Sequence, residues 1–400
     1  MKRGLALEGG GARGAYHIGV AKALFEYGYE FEGFVGTSIG AINAAILAEG
    51  DFDIALELWA NISLDQLFDD AYLPLLKHVD STNRARFISG VRNVLSIMRG
   101  GGLNTDRFRG FFCKYIDEER IRNSGKDFGL VTILLDGFEP LELMLEDIPA
   151  GELCEYTMAS ASYPLFQREV IEDQVFLDGA FYDNCPYHLL LAKGYDEIIV
   201  VRTNARGRFH KITDTDKIKV IAPCEDLGHV LQFSPERCMA NIDLGFFDGL
   251  RFMRNLRGHA YYIEPIPEER INTQLMKIPD ELIIETGKAL NIQDMPARRM
   301  LYEKIIPKIS AQMKLSKDHD YTDVVTAILE CMAERRGIKR LQIYDYERLR
   351  ALIKESPDLT ENNKIQSIAA RMFAGGKKKT VLELLGSALV SDEPGTDVIA

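Results

Sequence analysis

The stretch that decides the fold is Phe31-Glu32-Gly33-Phe34-Val35-Gly36-Thr37-Ser38-Ile39-Gly40-Ala41, in which a strand pattern leads through a glycine-bracketed serine into an apolar helix. We predict a strand over residues 31–35 and a helix over 41–49. A G-x-S-x-G turn between a strand and a helix is typical of a nucleophile elbow, in which the serine hydroxyl stands clear of the sheet. Small residues at Gly36 and Gly40 let neighbouring segments pass close. The alternative is an ordinary strand-to-helix turn that Ser38 only caps.

The residues before this stretch repeat the same pattern. Residues 3–7 predict a buried strand, Gly9-Gly10-Gly11-Ala12-Arg13-Gly14 follows it, and residues 15–27 predict a helix that Gly28 ends. The order β-α-β-α, with glycine at each strand exit, predicts a parallel sheet covered by helices on both faces. Glycines let the backbone approach a ligand and point N–H groups at it. An acyl-transfer enzyme needs such donors for the oxyanion of its tetrahedral intermediate.

The same glycine loop also fits a different function. Residues 9–14 satisfy G-x-G-x-x-G after a strand and before a helix, which is the fingerprint of a dinucleotide site. The acidic partner of the ribose would then be Glu30 or Glu32. That acid belongs at the exit of the second strand, however, and both glutamates stand at its entry. No Lys-Ser or Lys-Thr follows the last glycine, which excludes a P-loop.

Asp178-Gly179-Ala180 is the third motif that carries chemistry. We predict a strand over residues 175–177, so that Asp178 lies at its exit and meets Ser38 from a neighbouring strand of a parallel sheet. A buried aspartate there would serve as the base that a serine nucleophile needs. His188 completes a Ser-Asp-His order, and His17 is the other local imidazole. We expect both histidines to be structural, because His188 falls in the predicted helix over 186–193.

The remaining pattern organises the chain. We predict a hairpin over 129–135 and 141–144, a strand over 197–201, and mixed helical structure over 51–128 with a break at Gly100-Gly101-Gly102. Beyond about residue 265 the pattern is helical, with helices around 325–332 and over 346–354. We therefore expect domains over 1–262 and 263–375, and a partly mobile tail over 376–400.

Composition limits the function further. The chain has 400 residues, 46% apolar and 27% charged, which is ordinary for a globular protein. A net charge of −12 argues against a nucleic-acid-binding protein. The six cysteines form no CxxC pair, and we expect reduced thiols in a cytoplasmic protein. No metal-binding motif, bound cofactor or spanning helix is predicted, and the oligomeric state stays open.

The three motifs, in this order and spacing, resemble the patatin-like phospholipase family. Two further segments are similar to it, Ala159-Ser160-Ala161-Ser162-Tyr163-Pro164-Leu165-Phe166 and Asp183-Asn184-Cys185-Pro186. The resemblance covers roughly residues 3–250. It implies a three-layer α/β/α domain with a mainly parallel central sheet, followed by a helical C-terminal region.

The resemblance also implies a mechanism. Ser38 would attack a lipid acyl ester and Asp178 would take its proton, as a dyad without histidine and without calcium. Gly9, Gly10, Gly11, Ala12, Arg13 and Gly14 would hold the oxyanion, with Gly36, Gly40, Gly179 and Ala180 as supporting motif residues. Phospholipids and lysophospholipids would be the substrates, reached by peripheral contact with a membrane. The candidates for the wall of the acyl slot are Trp59, Leu73, Leu75, Leu76 and Leu103.

Overall fold

The computed structural model describes residues 1–76, 101–214, 216–358 and 376–391. The chain divides into two compact units, Met1–Met253 and Arg254–Ala400. The division falls at the end of a long helix, Pro235–Arg254, rather than at residue 262.

The first unit is built on one mixed sheet of eight strands. Its order is β5-β6-β3-β2-β1-β7-β8, and β4 pairs with β3 outside this path. The five strands β3, β2, β1, β7 and β8 run parallel, whereas β4 and β6 are antiparallel to β3 and β5 is antiparallel to β6. The strands are β1 Arg3–Leu7, β2 Gly33–Thr37, β3 Asp127–Leu134, β4 Glu139–Met144, β5 Val170–Ile171, β6 Gln174–Asp178, β7 Glu197–Val201 and β8 Ile218–Ile221.

Helices cover both faces of this sheet, because alternate side chains of its buried strands point to opposite sides. On one face, Val35, Val131 and Val200 pack against Leu190 in a single apolar cluster. On the other, the helix after β2 packs against β1, β2 and β3. The helices are α1 Ala15–Glu26, α2 Ile39–Glu49, α3 Phe52–Asn61, α4 Leu64–Leu67, α5 Leu73–Leu76, α6 Asp106–Cys113, α7 Glu118–Asn123, α8 Leu153–Ser160, α9 Tyr187–Ala192 and α10 Pro235–Arg254.

The predicted three-layer α/β architecture is confirmed. Strands β1 and β7 begin and end at the predicted residues. The hairpin of β3 and β4 closes through a turn at Asp136–Phe138, with Gly137 at a φ of 74°. The second strand begins and ends two residues later than predicted, at Gly33–Thr37, so that it runs directly into Ser38.

The second unit is helical around its own apolar core, as its sequence pattern predicts. Leu275, Ile305, Val325, Leu329 and Leu349 lie in that core. Its helices are α11 Glu268–Lys277, α12 Asp280–Ala289, α13 Ala297–Met300, α14 Ile306–Met313, α15 Tyr321–Arg335, α16 Tyr346–Glu355 and α17 Gly376–Val390, and its strands are β9 Tyr262–Ile263 and β10 Ile343–Tyr344.

Two expectations need correction. Residues 376–390 form α17 rather than the start of a tail, since Val381, Leu385 and Leu389 are buried in the core of the second unit. Residues 392–400 lie outside the described residues. Cys113 and Cys154 form a disulfide with a Cα–Cα distance of 5.8 Å, and not two reduced thiols. The pairing joins α6 to α8, which a sequence separation of 41 does not reveal. Cys185, Cys224, Cys238 and Cys331 are not part of a disulfide among the described residues.

In the described part of the chain, no helix has the length and apolar character that crossing a bilayer requires.

Candidate active site

Ser38 lies between β2 and α2 in a strained backbone conformation. Its φ is 58° and its ψ is −128°, a region that non-glycine residues rarely adopt. The turn is tight enough that a Cβ on Gly36 would lie 2.2 Å from the carbonyl carbon and oxygen of Gly40. Glycine at position 36 is therefore required by the close approach of strand and helix. The result is an elbow that presents a half-buried serine at the carboxyl edge of the sheet.

The structure brings Ser38 and Asp178 into direct contact. The Ser38 hydroxyl donates a hydrogen bond of 2.8 Å from Oγ to Oδ2 of Asp178. The prediction that the two meet from neighbouring parallel strands is wrong in its topology, because β6 runs antiparallel to β3 and follows β2 along the same edge of β3, while β4 takes the opposite edge. The register explains the contact: Thr37 pairs with Val131, and Thr132, the next residue of β3, pairs with Asp178. Both side chains therefore meet above the same point of β3.

The environment of Asp178 makes its carboxylate more basic than usual. The residue is only 3% exposed, and burial raises its pKa to about 6. Two hydrogen bonds oppose this rise, one from the Ala180 amide to Oδ1 at 2.8 Å and one from the Ser38 hydroxyl to Oδ2. The carboxylate is thus held in a fixed orientation by one oxygen while the other faces the serine.

A second serine, Ser160, makes a hydrogen bond with the backbone of the elbow. The Ser38 amide donates to Oγ of Ser160 at 2.9 Å, and the Ser160 hydroxyl donates to the Val131 carbonyl at 2.7 Å. Ser160 is the last residue of α8 and is fully buried. Its hydroxyl therefore links the backbone of the elbow to the central strand β3. In the sequence, Ser160 stands out only as a member of the Ala159-Ser160-Ala161-Ser162 segment.

The glycine loop lies against the elbow. A Cβ on Gly9 would lie 3.2 Å from Cβ of Ser38 and 3.1 Å from the Thr37 carbonyl oxygen. Three of the predicted oxyanion-hole amides are already occupied: Gly9 donates to Asn184, Ala12 to Val230 and Arg13 to Gly10. Gly14 lies at the end of the short helix Gly11–Gly14. Among the described residues, the amides of Gly10 and Gly11 have no protein acceptor.

The Arg13 guanidinium binds backbone carbonyls, whereas the resemblance implied that Arg13 helps to hold the oxyanion. Its guanidinium donates to the carbonyl oxygens of Gly228, Thr203 and Asn204, at 2.8, 3.3 and 3.0 Å. These carbonyls belong to loops beside the glycine loop, so Arg13 fixes the position of that loop rather than facing a substrate.

Glu8 is a structural support that the sequence did not single out. It is 1% exposed, and its carboxylate accepts from the amides of Thr203 and Asn204 at 2.6 and 3.0 Å and from Arg202 at 2.9 Å. The Thr203 hydroxyl in turn donates to the Gly9 carbonyl at 2.6 Å. The start of the glycine loop is therefore tied to the segment that follows β7.

Neither of the two candidate histidines, His17 and His188, is paired with Ser38 or Asp178 in the described structure. His17 is fully buried, and burial lowers its pKa to about 3. Its Nδ1 lies 3.1 Å from Nδ2 of Asn43. This Nδ2 also donates to the Gly14 carbonyl, and Oδ1 of Asn43 accepts from the Trp59 indole. The nitrogens of His188 lie beside carboxylates other than Asp178. Within the described residues, the basic partner of Ser38 is Asp178.

The geometry does not favour the dinucleotide alternative. The amide of Glu32 donates to the carbonyl of Arg3, which places Glu32 at the start of β1, and exposed Glu30 precedes it. The glycine loop follows the other end of β1. Five strand residues span about 16 Å, so these acids stand at the opposite edge of the sheet from the loop.

An aromatic cluster flanks the dyad. The Asp178 amide donates to the Ser162 carbonyl at 3.0 Å, which places half-buried Tyr163, the next residue, close to the dyad, and burial together with the charge of Asp178 raises the pKa of Tyr163. Tyr163 packs edge-on against Phe166, which contacts Phe68 and Phe108. The disulfide from Cys113 to Cys154 joins the helix of Phe108 to the helix of Ser160.

The candidates for the acyl-slot wall have different positions. Leu103 is buried, and its backbone pairs with that of Phe166 in an isolated β-bridge, so it lies beside this aromatic cluster. Trp59 is a core residue that stacks on Phe233 at 6.4 Å. Leu76 is buried and Leu73 half-buried, whereas the Leu75 side chain and Gly100 lie outside the described residues.

Residues 5–191 match the family model of patatin-like phospholipases, so the chain contains a patatin-like phospholipase domain. It is 28% identical over 193 residues to a patatin-like phospholipase domain-containing protein of Caenorhabditis elegans, a match that covers 46% of this chain and 12% of that protein. It is also 51% identical over 49 residues to an uncharacterized NTE family protein of Mycobacterium tuberculosis, covering 12% of this chain and 14% of the relative. The chain therefore spans only a small part of each relative.

Among solved structures, the chain is similar to VipD from Legionella pneumophila, with a TM-score of 0.42, 16% sequence identity, and coverage of 100% of this chain and 94% of that one.

Proposed function

We propose that this protein is a serine lipid acyl hydrolase, of the phospholipase A or lysophospholipase type, which cleaves carboxylic ester bonds through a dyad of Ser38 and Asp178. The observation that carries the proposal is the 2.8 Å hydrogen bond from the Ser38 hydroxyl to a buried carboxylate. A serine on a strained elbow with a base in hydrogen-bond contact is the arrangement that activates a nucleophile.

The first half of the reaction acylates Ser38. Its Oγ attacks the carbonyl carbon of the ester, and its proton moves to Oδ2 of Asp178. The amides of Gly10 and Gly11, which have no acceptor among the described residues, stabilise the oxyanion of the tetrahedral intermediate. The intermediate then expels the alcohol, which takes the proton from Asp178.

The second half releases the fatty acid. Water attacks the acyl group on Ser38, Asp178 takes a proton from this water, and the proton returns to Ser38 Oγ as the acid leaves. A carboxylate with a pKa of about 6 is ionised at neutral pH and yet basic enough to accept a proton during the reaction.

Lipid is the preferred substrate class for two reasons. Residues 5–191 match a family of phospholipases. The half-buried ring of Tyr163, which follows the Ser162 carbonyl bound by the Asp178 amide and packs against buried Phe166, also offers an apolar contact for an acyl chain. Headgroup and position on the glycerol backbone are left to experiment.

A fluorophosphonate probe tests the proposal, because it labels only an activated serine. Mass spectrometry should find the adduct on Ser38, and Ser38→Ala and Asp178→Asn should each lose both labelling and release of fatty acid from a short-chain p-nitrophenyl ester. Ser124→Ala, at the residue that follows α7, is the matched control and should label normally. Full activity of Asp178→Asn would exclude the dyad. Loss of labelling in a folded His188→Ala variant would revive a Ser-Asp-His triad.

A further inference from the structure

We propose that Asp183, His188 and His210 form a binding site for a divalent transition-metal ion of the zinc class. The three residues come from separate elements: Asp183 follows the turn after β6, His188 lies on α9, and His210 lies in the loop between β7 and β8. One ligand atom from each lies within 4.8 Å of the other two. This site goes beyond the hydrolase activity and is separate from the Ser38–Asp178 dyad.

Asp183 is held so that one oxygen faces both imidazoles. The residue is fully buried; its amide donates to Gly179, its carbonyl accepts from the Thr37 hydroxyl, and its Oδ1 accepts from the Cys185 amide. Only Oδ2 is left for other partners. It lies 3.1 Å from Nδ1 of His188 and 3.1 Å from Nδ1 of His210.

The donor set matches a particular class of ion. Two imidazole nitrogens and one carboxylate oxygen are ligands that Zn²⁺ and related ions accept, with water in the remaining position. Oδ2 of Asp183 lies 3.1 Å from each imidazole and all three ligand atoms lie within 4.8 Å of one another, so they are close enough to bind one small cation. The side chains of His188 and His210 are about one-third exposed, at 30% and 34%, so the cluster lies near the protein surface, with the ring nitrogens of His188 themselves buried.

Glu142 supplies the outer contact that metal-binding histidines usually have. Its Oε1, on β4, lies 3.0 Å from Nε2 of His188, the nitrogen opposite the one that faces Asp183. A carboxylate in this position fixes the orientation of the ring and makes the other nitrogen a stronger ligand. Both nitrogens of His188 are buried, and neither makes a hydrogen bond of good geometry. A metal at Nδ1 of His188 would displace no well-formed hydrogen bond there, whereas at His210 it would replace the 3.1 Å hydrogen bond between Nδ1 and Oδ2 of Asp183.

The ion would fasten a loop beside the active site. The loop of His210 also carries Thr203 and Asn204, which hold Glu8 and the carbonyl of Gly9. At its other side, the carbonyl of Arg208 accepts from the Asn184 amide. Binding at His210 would link this loop to Asp183 and stabilise the folded first unit.

The test is calorimetric titration of the chelator-treated full chain with Zn²⁺ alone. We expect about one ion per chain at this site, a loss of affinity of at least about 100-fold in His188→Ala and His210→Ala, and a loss of about 10- to 100-fold in Glu142→Gln. His319→Ala is the control, because half-buried His319 belongs to the second unit, where its Nδ1 contacts the Ser316 carbonyl. It should bind as the unmodified chain does.

Two further measurements keep the outcome decisive. Circular dichroism should show that each variant is folded. His210→Gln, at a half-buried loop position, replaces His210→Ala if the latter is not folded. Zn²⁺ should also raise the unfolding temperature of the unmodified chain but not of the His210 variant. The proposal is overturned if the chain takes up no Zn²⁺, or if folded His188 and His210 variants bind it as tightly as the unmodified chain. The cluster would then be only a contact of the two imidazoles with the Asp183 carboxylate.

Discussion

Replacing Asp178 with asparagine should stabilise the protein while it removes the proposed activity. Burial raises the pKa of this carboxyl from 3.8 to about 6, against the opposing hydrogen bonds of Ala180 and Ser38. One pKa unit corresponds to about 1.36 kcal/mol, so keeping the group ionised costs the native state about 3 kcal/mol. Asparagine carries no charge, and its carbonyl oxygen can still accept from the Ala180 amide. We expect Asp178→Asn to raise the free energy of unfolding at pH 8 by up to about 3 kcal/mol.

The sign of the effect fixes its pH dependence. Near pH 3 and below, the carboxyl is protonated in both the folded and the unfolded chain, and the ionisation penalty is absent. Between about pH 4 and pH 6 the native state binds more protons than the unfolded state, so rising pH destabilises the unmodified protein relative to the variant. Above pH 6 the difference reaches its full size and stays constant.

Urea unfolding followed by tryptophan fluorescence measures this difference. Trp59 is the single tryptophan of the chain and is fully buried in the first unit, so its emission reports the unit that contains Asp178. Asp243→Asn is the matched control, because Asp243 is exposed on α10. The reasoning is refuted if Asp178→Asn is no more stable than the unmodified chain at pH 8, or if the gain is as large at about pH 3.5 as at pH 8.

Three more predictions follow from the site. The rate at which the fluorophosphonate labels Ser38 should rise with pH around a midpoint near 6, since Asp178 must be ionised to accept the proton; a profile that is flat from pH 5 to 8 would contradict this. Ser160→Ala should lower the free energy of unfolding by about 1–3 kcal/mol and slow the labelling, because the amide of Ser38 loses its acceptor; an unchanged urea midpoint and labelling rate would speak against that role. Cys154→Ser, or reduction of the disulfide with Cys113, should destabilise the first unit by up to about 4 kcal/mol, the loop-entropy value for a separation of 41 residues, whereas Cys224→Ser should leave the urea midpoint unchanged.

The sequence predicted those parts of the fold that depend on local pattern. The strand Arg3–Leu7, the elbow around Ser38 and the strand Glu197–Val201 each combine a short apolar run with a glycine or polar exit. The contact of Ser38 with Asp178 also followed, because both stand at strand exits. The route to that contact did not follow, since nothing local to Asp178 indicates that its strand runs antiparallel.

The features that the sequence did not predict are long-range contacts between residues with unremarkable neighbours. The acceptor of the Ser38 amide is Ser160, 122 residues away, and the disulfide partner of Cys113 lies on another helix. Residues 376–390 look like the start of a polar tail because their lysines come first. The apolar residues Val381, Leu385 and Leu389 follow at helical spacing and have a core to enter only once the second unit has folded.

Two features of the candidate active site lower the stability of the first unit, the backbone of Ser38 and the buried charge of Asp178. A non-glycine residue at positive φ costs of order 1–3 kcal/mol, and the buried charge of Asp178 costs a similar amount. Both are maintained because the surroundings leave them no alternative: Gly36 lies against Gly40, Ser160 holds the Ser38 amide, and strand β3 fixes the level at which Asp178 leaves the sheet. An accidental turn would have relaxed by exchanging Ser38 for glycine or Asp178 for asparagine, either of which stabilises the fold. Strain and buried charge at the same hydrogen bond therefore argue for selection on chemistry rather than on stability.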